Sequence, residues 1–334
     1  MATGEIIAAI DIGSSKIKTL VGSFSEDKKL RILGVGLSPS TGVRKGNILD
    51  MDEFRKNIDT SLLEAEKMLG QHVNSVYLSL SGVTIESVIN TGVVAVSNGE
   101  VSEDDVNRAM DMSQNGVDMT NRTVLKVVPE SFTIDGTPGI KNPIGMGAKK
   151  LEVRSHIVSI AENVLSNIKK GILDVGVDIV DVFANVLSAP EAVLSRRQKE
   201  LGVVCIDLGA STTDVAVFEE GALIFGTVIA LGGEHVTSDI ALGLRISIDL
   251  AEKLKLEHAD VNFCKDDSLK DEEIDLSKYS KTETTTISKK YLSEIVRARY
   301  SEFFHFVNTE LKRIGKDGML PEGAVLTGGA AKIR

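Results

Sequence analysis

The first part of the chain alternates between short apolar runs and one long amphipathic segment. Residues 6–11 and 16–24 are apolar β-type runs joined by glycine and serine, which predicts a hairpin, and residues 30–37 predict a third strand. Residues 51–69 carry apolar side chains at helical spacing, and residues 73–79 return to the strand pattern. This order predicts an α/β domain in which a β-meander leads into a helix and a further strand.

The pattern changes between residues 81 and 160. There, strands outnumber helices, Ser102 followed by acidic residues predicts a helix N-terminus, and a loop rich in glycine and proline separates two strands. We expect a small β-α-β-β subdomain inserted into the first domain. Its predicted elements are a strand at 87–96, a helix at 106–112, and strands at 123–134 and 151–159.

The rest of the chain returns to alternating helices and strands. Residues 260–288, dense in acidic residues and then in threonine, predict a solvated loop with room for one edge strand. The predicted elements are a helix at 161–175, a strand at 179–183, a helix at 187–194 with Pro190 in its first turn, a hairpin at 203–218, a strand at 223–230, helices at 236–244 and 248–256, a long helix from Ser288 to about residue 314, and a strand at 323–327.

One motif occurs twice. IIAAIDIGSSKIKTLV, which contains Asp11, and VVCIDLGASTTDVAVF, which contains Asp207, both run from an apolar strand through Asp-Ile/Leu-Gly and a small hydroxylated turn into a second strand. The tip of such a hairpin exposes backbone N–H groups that suit phosphate oxygens, and an aspartate at the strand end can hold the water shell of Mg²⁺. A single copy would predict only a turn. Two copies in separate halves of the chain favour a phosphate clamp.

Two glycine pairs follow strands and extend this hypothesis. Gly232-Gly233 precedes a predicted helix, and Gly328-Gly329 follows the last predicted strand. Glycines at such points let the backbone approach a flat or phosphorylated ligand without a Cβ in the way. Glu252 and Lys255 lie one turn apart on a helix and could bond ribose or adenine, although spacing alone favours an ordinary surface ion pair.

Composition narrows the class of protein. The chain has 334 residues, 42% of them hydrophobic, which predicts a soluble globular protein of at least two domains. A net charge of −10 argues against broad nucleic-acid binding. The two cysteines, Cys205 and Cys264, lack metal-site spacing and fit a reducing cytoplasm. We expect neither a signal peptide nor a transmembrane helix.

Competing chemistries have less support in the sequence. A GxGxxG dinucleotide fold needs a strand–turn–helix, whereas both aspartate turns run from strand to strand, and no GxxxxGK[ST] loop is present. His156 and His235 have no neighbours in sequence that would complete a metal or nucleophilic site. We therefore assign no catalytic residue.

The motifs DIGSSK, DLGASTTD and LTGGAAK resemble the phosphate and adenosine motifs of the actin/Hsp70/sugar-kinase ATPase superfamily. Within it, SGVTIESVINTGVVAV, VSEDDVNRAM and NPIGMGAKKLEVRSHIVS resemble the FtsA family of actin-like bacterial cell-division proteins. The resemblance implies an α/β actin-like ATPase fold: two RNase H-like domains flank a nucleotide cleft, and a small α+β subdomain called 1C is inserted. The implied domains are 1A at 1–80 and 161–200, 1C at 81–160, and 2A/2B at 201–334, with 2B at about 247–315.

The resemblance further implies ATP and Mg²⁺ as cofactors. Asp11 and Asp207 would hold the metal through water. The residues expected at the nucleotide are Asp11, Gly13, Ser14, Ser15, Lys16, Asp207, Gly209, Ala210, Ser211, Thr212, Thr213, Gly232, Gly233, Glu234, Glu252, Lys255, Gly328, Gly329 and Ala330.

Partners are implied in the same way. FtsA-like proteins form actin-like filaments with themselves, bind other division proteins through subdomain 1C, and attach the C-terminal peptide of FtsZ at the cytoplasmic face of the cell membrane. Lys290, Arg297 and Arg299, beside the apolar stripe of the long helix, could take such an acidic-apolar peptide. A domain-packing helix with solvated charges explains the stripe equally well.

Three departures from the family pattern matter. The second phosphate loop has Ala210-Ser211 where the family usually has two glycines, which restricts φ. The segment before Pro190 lacks the glutamine that orients the attacking water in actin, so we expect weak ATPase activity or none. The C-terminal amphipathic helix of FtsA is missing, so this 334-residue chain is not expected to bind membrane unaided.

Two other functions remain as alternatives. An ATP-binding assembly module related to PilM or Hsp70 would keep the nucleotide site but serve other partners. A small-molecule kinase would need a catalytic aspartate in an acceptor pocket, and the sequence shows no third acidic motif at a strand end.

Overall fold

The fold is described from a computed structural model. It describes residues 6–25, 27–265, 272–279 and 285–334. The chain divides into two compact units. Unit 1 comprises Met1–Cys205, Asp214–Val228 and Leu320–Val325, and unit 2 comprises Ile206–Thr213, Ile229–Met319 and Leu326–Arg334.

Unit 1 is built on a five-stranded sheet of order β11-β6-β1-β2-β3. The predicted hairpin is confirmed, since β1 pairs with β2 in antiparallel register and β2 with β3, while β6 and β11 add in parallel. The elements, in chain order up to the end of β11 and excluding the insertion, are β1 Ile6–Ile12, β2 Lys16–Phe24, β3 Leu30–Pro39, β4 Val43–Arg44, β5 Asn47–Ile48, α1 Met51–Leu69, β6 Ser75–Leu80, α3 Glu162–Asp174 and β11 Asp178–Ala184.

Helix α1 covers one face of this sheet. The Asp50 carboxylate accepts hydrogen bonds from two N–H groups of the first turn, and Gly70, at φ 81°, ends the helix in the left-handed region. Phe54 and Ile58 are fully buried in the core. The helix lies so close to β3 that a Cβ on Gly36 would overlap the backbone of Ser61.

The insertion has its own four-stranded sheet, of order β7-β10-β8-β9. Its elements are β7 Glu86–Ala95, α2 Glu103–Asn115, β8 Arg122–Ile134, β9 Thr137–Ile140 and β10 Lys150–Ala161. Ser102 caps α2 as predicted, and Asp105 completes a capping box. Strand β9 was not predicted, because TPGI contains the two residues that most disfavour a strand. A separate core of Leu151, Val153 and neighbouring side chains supports this sheet.

Two short helices lead from β11 to the second hairpin: α4 Asn185–Val193 and α5 Arg196–Leu201. The prediction of Pro190 in the first turn is wrong, because α4 begins two residues earlier than expected and Pro190 lies inside it. The sheet that follows has order β14-β13-β12-β17, and its strands contribute residues to both units. They are β12 Val203–Leu208, β13 Thr213–Glu219, β14 Ala222–Ile229 and β17 Ala324–Thr327.

Unit 2 packs three helices together: α6 Gly233–Leu244, α7 Ile248–His258 and α8 Lys289–Arg313. The predicted stripe of α8 is confirmed, since Leu292, Val296 and Phe303 are buried and Ser288 caps the helix. A two-stranded ribbon, β15 Glu273–Asp275 with β16 Thr286–Ser288, occupies part of the expected acidic loop. Residues 266–271 and 280–284 of that loop lie outside the described residues.

None of the described helices is both long and apolar enough to span a membrane.

Candidate functional site

The first hairpin tip holds five of the predicted residues in unit 1. Asp11 lies near the end of β1, opposite Lys18, and the Lys18 Nζ is 2.9 Å from Asp11 Oδ2. Gly13 opens a tight turn, because a Cβ there would lie 2.8 Å from the carbonyl oxygen of Lys16. The Ser15 carbonyl accepts a hydrogen bond of 3.0 Å from the Ser40 N–H. The sequence reasoning missed Lys18, whose ion pair with Asp11 partly neutralises the expected metal-holding carboxylate.

The tip of the second hairpin, in unit 2, repeats the turn geometry of the first. A Cβ on Gly209 would lie 2.8 Å from the carbonyl oxygen of Thr212, the same distance and the same three-residue offset as for Gly13 and Lys16. The Gly209 N–H also donates to the Thr212 carbonyl at 2.9 Å. Ser211 is buried here, and the Thr213 hydroxyl donates to the Leu231 carbonyl at 2.8 Å. The repeated motif therefore folds into the same turn twice.

The Gly232-Gly233 turn packs directly on this second loop. The N–H groups of Gly233 and Glu234 donate to the carbonyls of Gly209 and Ala210, at 2.9 and 2.8 Å. A Cβ on Gly232 would lie 2.7 Å from the Ser211 nitrogen. Glycine is thus required at 232 for contact between loop and helix, and the first N–H groups of α6 bond to protein.

Lys255 joins the start of α6 to α7. The side chain is buried, with 9% of the residue exposed. Its Nζ donates to Thr237 Oγ1 at 2.8 Å and to the Gly233 carbonyl at 3.2 Å, and it lies 2.6 Å from Glu252 Oε2. Thr237 Oγ1 lies 2.5 Å from the same Glu252 oxygen. The ion pair expected from spacing is present, but Lys255 is buried and Glu252 is only partly exposed, so the pair belongs to a polar network beside the glycine turn.

The last glycine turn closes over the second hairpin. Gly328 has φ 92°, and a Cβ there would overlap the Asp207 carboxylate and the Leu208 backbone. Ala330 Cβ lies 3.2 Å from the position of a Cβ on Gly233. A Cβ on Gly329, by contrast, would have open space around it.

Unit 2 therefore brings most of the predicted nucleotide residues into one continuous cluster. These are Asp207, Gly209, Ala210, Ser211, Thr212, Thr213, Gly232, Gly233, Glu234, Glu252, Lys255, Gly328, Gly329 and Ala330. The other five, Asp11, Gly13, Ser14, Ser15 and Lys16, belong to unit 1. In the part of the chain that the structure describes, no group of three carboxylate, histidine or cysteine side chains could bind a metal directly.

A buried carboxylate follows the second loop and was missed. Asp214, only 4% exposed, accepts a hydrogen bond from Ser81 Oγ at 2.7 Å and another from Asn185 Nδ2 at 3.0 Å. All three residues belong to unit 1. The signal was present, since DLGASTTD ends in a second aspartate inside an otherwise apolar strand.

The basic residues of α8 differ from the prediction in one respect, which is the pairing of Arg299. Arg299 binds Asp239 of α6 in a bidentate pair, with distances of 2.5 and 2.8 Å, and also contacts Glu302. The hydrogen bonds that Arg299 donates to Asp239 raise the pKa of Arg299. Arg297 is exposed and places Nη1 3.8 Å from Cys264 Sγ. Arg299 is therefore already paired, which sequence spacing on one helix could not predict.

Comparison with known families decides the identity. A family model described as "SHS2 domain inserted in FTSA" matches residues 82–159, and one described as "Cell division protein FtsA" matches residues 204–334. The cell division protein FtsA of Pseudomonas aeruginosa is 34% identical over 99% of this chain and 79% of its own length. The chain belongs to the FtsA family. FtsA of Bacillus subtilis is also 34% identical, over 75% of its length, and FtsA of Escherichia coli K12 is 32% identical, over 80% of its length.

Solved structures agree on the fold. The chain superimposes on the "PilM-PilN type IV pilus biogenesis complex" with a TM-score of 0.67 at 15% identity, covering 98% of this chain and 82% of the other. MreB5 of Spiroplasma citri bound to ADP gives a TM-score of 0.53 at 16% identity, covering 99% and 86%. The predicted actin-like fold with an inserted subdomain is confirmed. Because the chain belongs to the FtsA family, the alternative of a PilM-like assembly module is supported only by the shared fold.

Proposed function

We propose that this FtsA-family protein binds ATP with Mg²⁺ and uses the nucleotide to assemble into filaments at the division site. The observation that carries the proposal is the repeated turn, in which a Cβ on Gly13 or on Gly209 would lie 2.8 Å from the carbonyl oxygen of Lys16 or Thr212. An ordinary turn has no reason to be duplicated with its aspartate, whereas each such tip can offer backbone N–H groups to phosphate oxygens.

The residues present suit that ligand. Asp11 and Asp207 would hold Mg²⁺ through its waters, and the metal would offset phosphate charge. The open space at Gly329 leaves the backbone of the last turn accessible to a flat base. Lys255 already bonds the Gly233 carbonyl and Glu252, so it fixes the turn that would face the nucleoside.

We propose weak turnover of the bound nucleotide. Asn185 occupies the start of α4, where its amide donates to Asp214 at 3.0 Å. This bond uses one donor of the Asn185 amide, and the segment up to Pro190 contains no glutamine that would orient an attacking water. Binding, rather than hydrolysis, would then be the signal for assembly.

A thermal-shift measurement tests the nucleotide proposal. Mg²⁺ with ATP should raise the melting temperature of the wild type, because a ligand that binds only the folded state stabilises it. Asp207→Ala should remove most of that rise, whereas the exposed α1 variant Asp59→Ala should keep it. Absence of a shift with every adenine and guanine nucleotide would overturn the proposal.

We further propose that α8 binds the acidic C-terminal peptide of FtsZ and so links the FtsZ ring to the membrane. Arg299 and the exposed Arg297 supply positive charge for an acidic peptide, while the apolar stripe of α8 is already buried. Because Asp239 already occupies Arg299, the peptide carboxylate must compete with it. Other division proteins would bind the inserted subdomain.

This competition gives opposite predictions for two variants. Arg299→Glu should weaken binding of a fluorescent FtsZ peptide, and Asp239→Asn should tighten it by releasing the guanidinium. Lys312→Glu, at the far end of α8, is the charge-matched control and should leave the affinity for the peptide unchanged. Unchanged affinity in both Arg299→Glu and Asp239→Asn would reject this face of α8 as the peptide site.

A further inference from the structure

Tyr300 places a phenol hydroxyl group among the buried side chains of α8. The residue is 8% exposed, and its ring packs edge-on against Phe303 with centroids 5.3 Å apart. A phenol in such surroundings needs a hydrogen-bond partner. Burial raises the pKa of Tyr300, so the hydroxyl stays protonated and acts as a donor.

The partner of this hydroxyl belongs to the last glycine turn. Tyr300 Oη donates to the carbonyl oxygen of Ala330 at 2.5 Å. Ala330 follows Gly328-Gly329 and approaches Gly233 through its Cβ, and Gly328 covers Asp207. One side chain of α8 therefore holds the turn that connects the second hairpin with the start of α6.

Arg299, the residue before Tyr300 on α8, contacts helix α6, which belongs to the same cluster of predicted nucleotide residues. Arg299 binds Asp239 of α6, and Thr237, two residues earlier on α6, bonds Lys255 and Glu252. Consecutive residues of α8 thus reach both helix α6 and the glycine turn. All of these residues lie in unit 2.

We propose that Tyr300 is a positioning residue of the nucleotide site, whose hydroxyl fixes the Ala330 carbonyl and thereby couples nucleotide occupancy to the Arg299 segment of α8. The proposal rests on the proposed binding of ATP. Tyr300 touches no ligand itself; it acts through the backbone of the turn. By linkage, a nucleotide that orders the turn also orders α8, and changes in α8 alter nucleotide affinity.

The test compares two tyrosines of one helix. Tyr300→Phe removes only the hydroxyl, and Tyr291→Phe is the matched control, because Tyr291 is 46% exposed on the same helix. Binding of a fluorescent ATP analogue with Mg²⁺ should weaken about three- to tenfold in Tyr300→Phe, the range expected for one lost hydrogen bond, and should not change in Tyr291→Phe. The melting temperature without nucleotide should fall by only about 2–4 °C in Tyr300→Phe, the effect of one lost hydrogen bond, and should stay at the wild-type value in Tyr291→Phe.

Equal affinity of wild type and Tyr300→Phe would overturn the positioning role while leaving ATP binding intact. A wild type that binds no nucleotide would overturn both proposals, so the two failures are distinguishable. Hydrogen exchange of the wild type gives a result that does not depend on the variant folding. Mg²⁺ with ATP should slow exchange of the amides at 297–303, and unchanged exchange there would also overturn the coupling.

Discussion

Gly328 lies against Asp207 so closely that no side chain fits between them. At φ 92° the turn also occupies the left-handed region, which residues with a Cβ adopt only at a cost. Position 328 therefore needs glycine for two reasons: a Cβ would overlap Asp207, and the backbone has a positive φ. The carboxylate that would serve Mg²⁺ is held in place by backbone.

This contact gives the first prediction. Gly328→Ala should lower the free energy of unfolding by more than about 1 kcal/mol, because the new methyl group both overlaps Asp207 and strains the backbone. Urea denaturation measures the loss. Gly329→Ala is the control, since a Cβ there has open space, and it should stay within about 0.5 kcal/mol of wild type. Equal effects of the two substitutions would contradict the close approach.

The elements that make this contact could be predicted from the sequence. The aspartate–glycine repeat predicted the two hairpins, and LTGGAAK predicted a glycine turn after a strand. Spacing along one helix did not show that Lys255 is buried, or that Arg299 is paired with Asp239, because both depend on neighbours distant in the chain. Helical spacing predicts that Tyr300 packs in the apolar stripe of α8. It does not predict the hydrogen bond to Ala330, because that residue lies outside the helix.

The capping box of α2 gives a prediction for pH. Hydrogen bonds from Ser102, first its side chain and then its backbone, lower the pKa of Asp105 to about 2. A depressed pKa contributes stability that is complete above the unfolded-state value of about 4 and is lost as the pH falls towards 2. Asp105→Asn should therefore be less stable than wild type at pH 6, and the difference should shrink at pH 2.5. A difference independent of pH in urea denaturation would contradict the assignment.

The buried carboxylate after the second loop gives another prediction. Ser81→Ala removes the 2.7 Å hydrogen bond to Asp214, and the carboxylate keeps the Asn185 amide. The free energy of unfolding should fall by about 1–2 kcal/mol. Ser188→Ala, which loses only a 3.3 Å contact with Ser79, should cost less. A smaller loss for Ser81→Ala than for Ser188→Ala would show that Asp214 does not depend on Ser81.

The central claim is that the repeated aspartate–glycine turn binds a nucleotide. Calorimetric titration of Mg²⁺ with ATP into wild type, Gly13→Ala and Gly209→Ala tests it most directly, because a Cβ at either position meets a carbonyl oxygen at 2.8 Å. We predict one binding site in the wild type and a loss of affinity of about tenfold or more in each variant, one from each half of the chain. Unaltered affinity in either variant, or no binding by the wild type, would contradict the account.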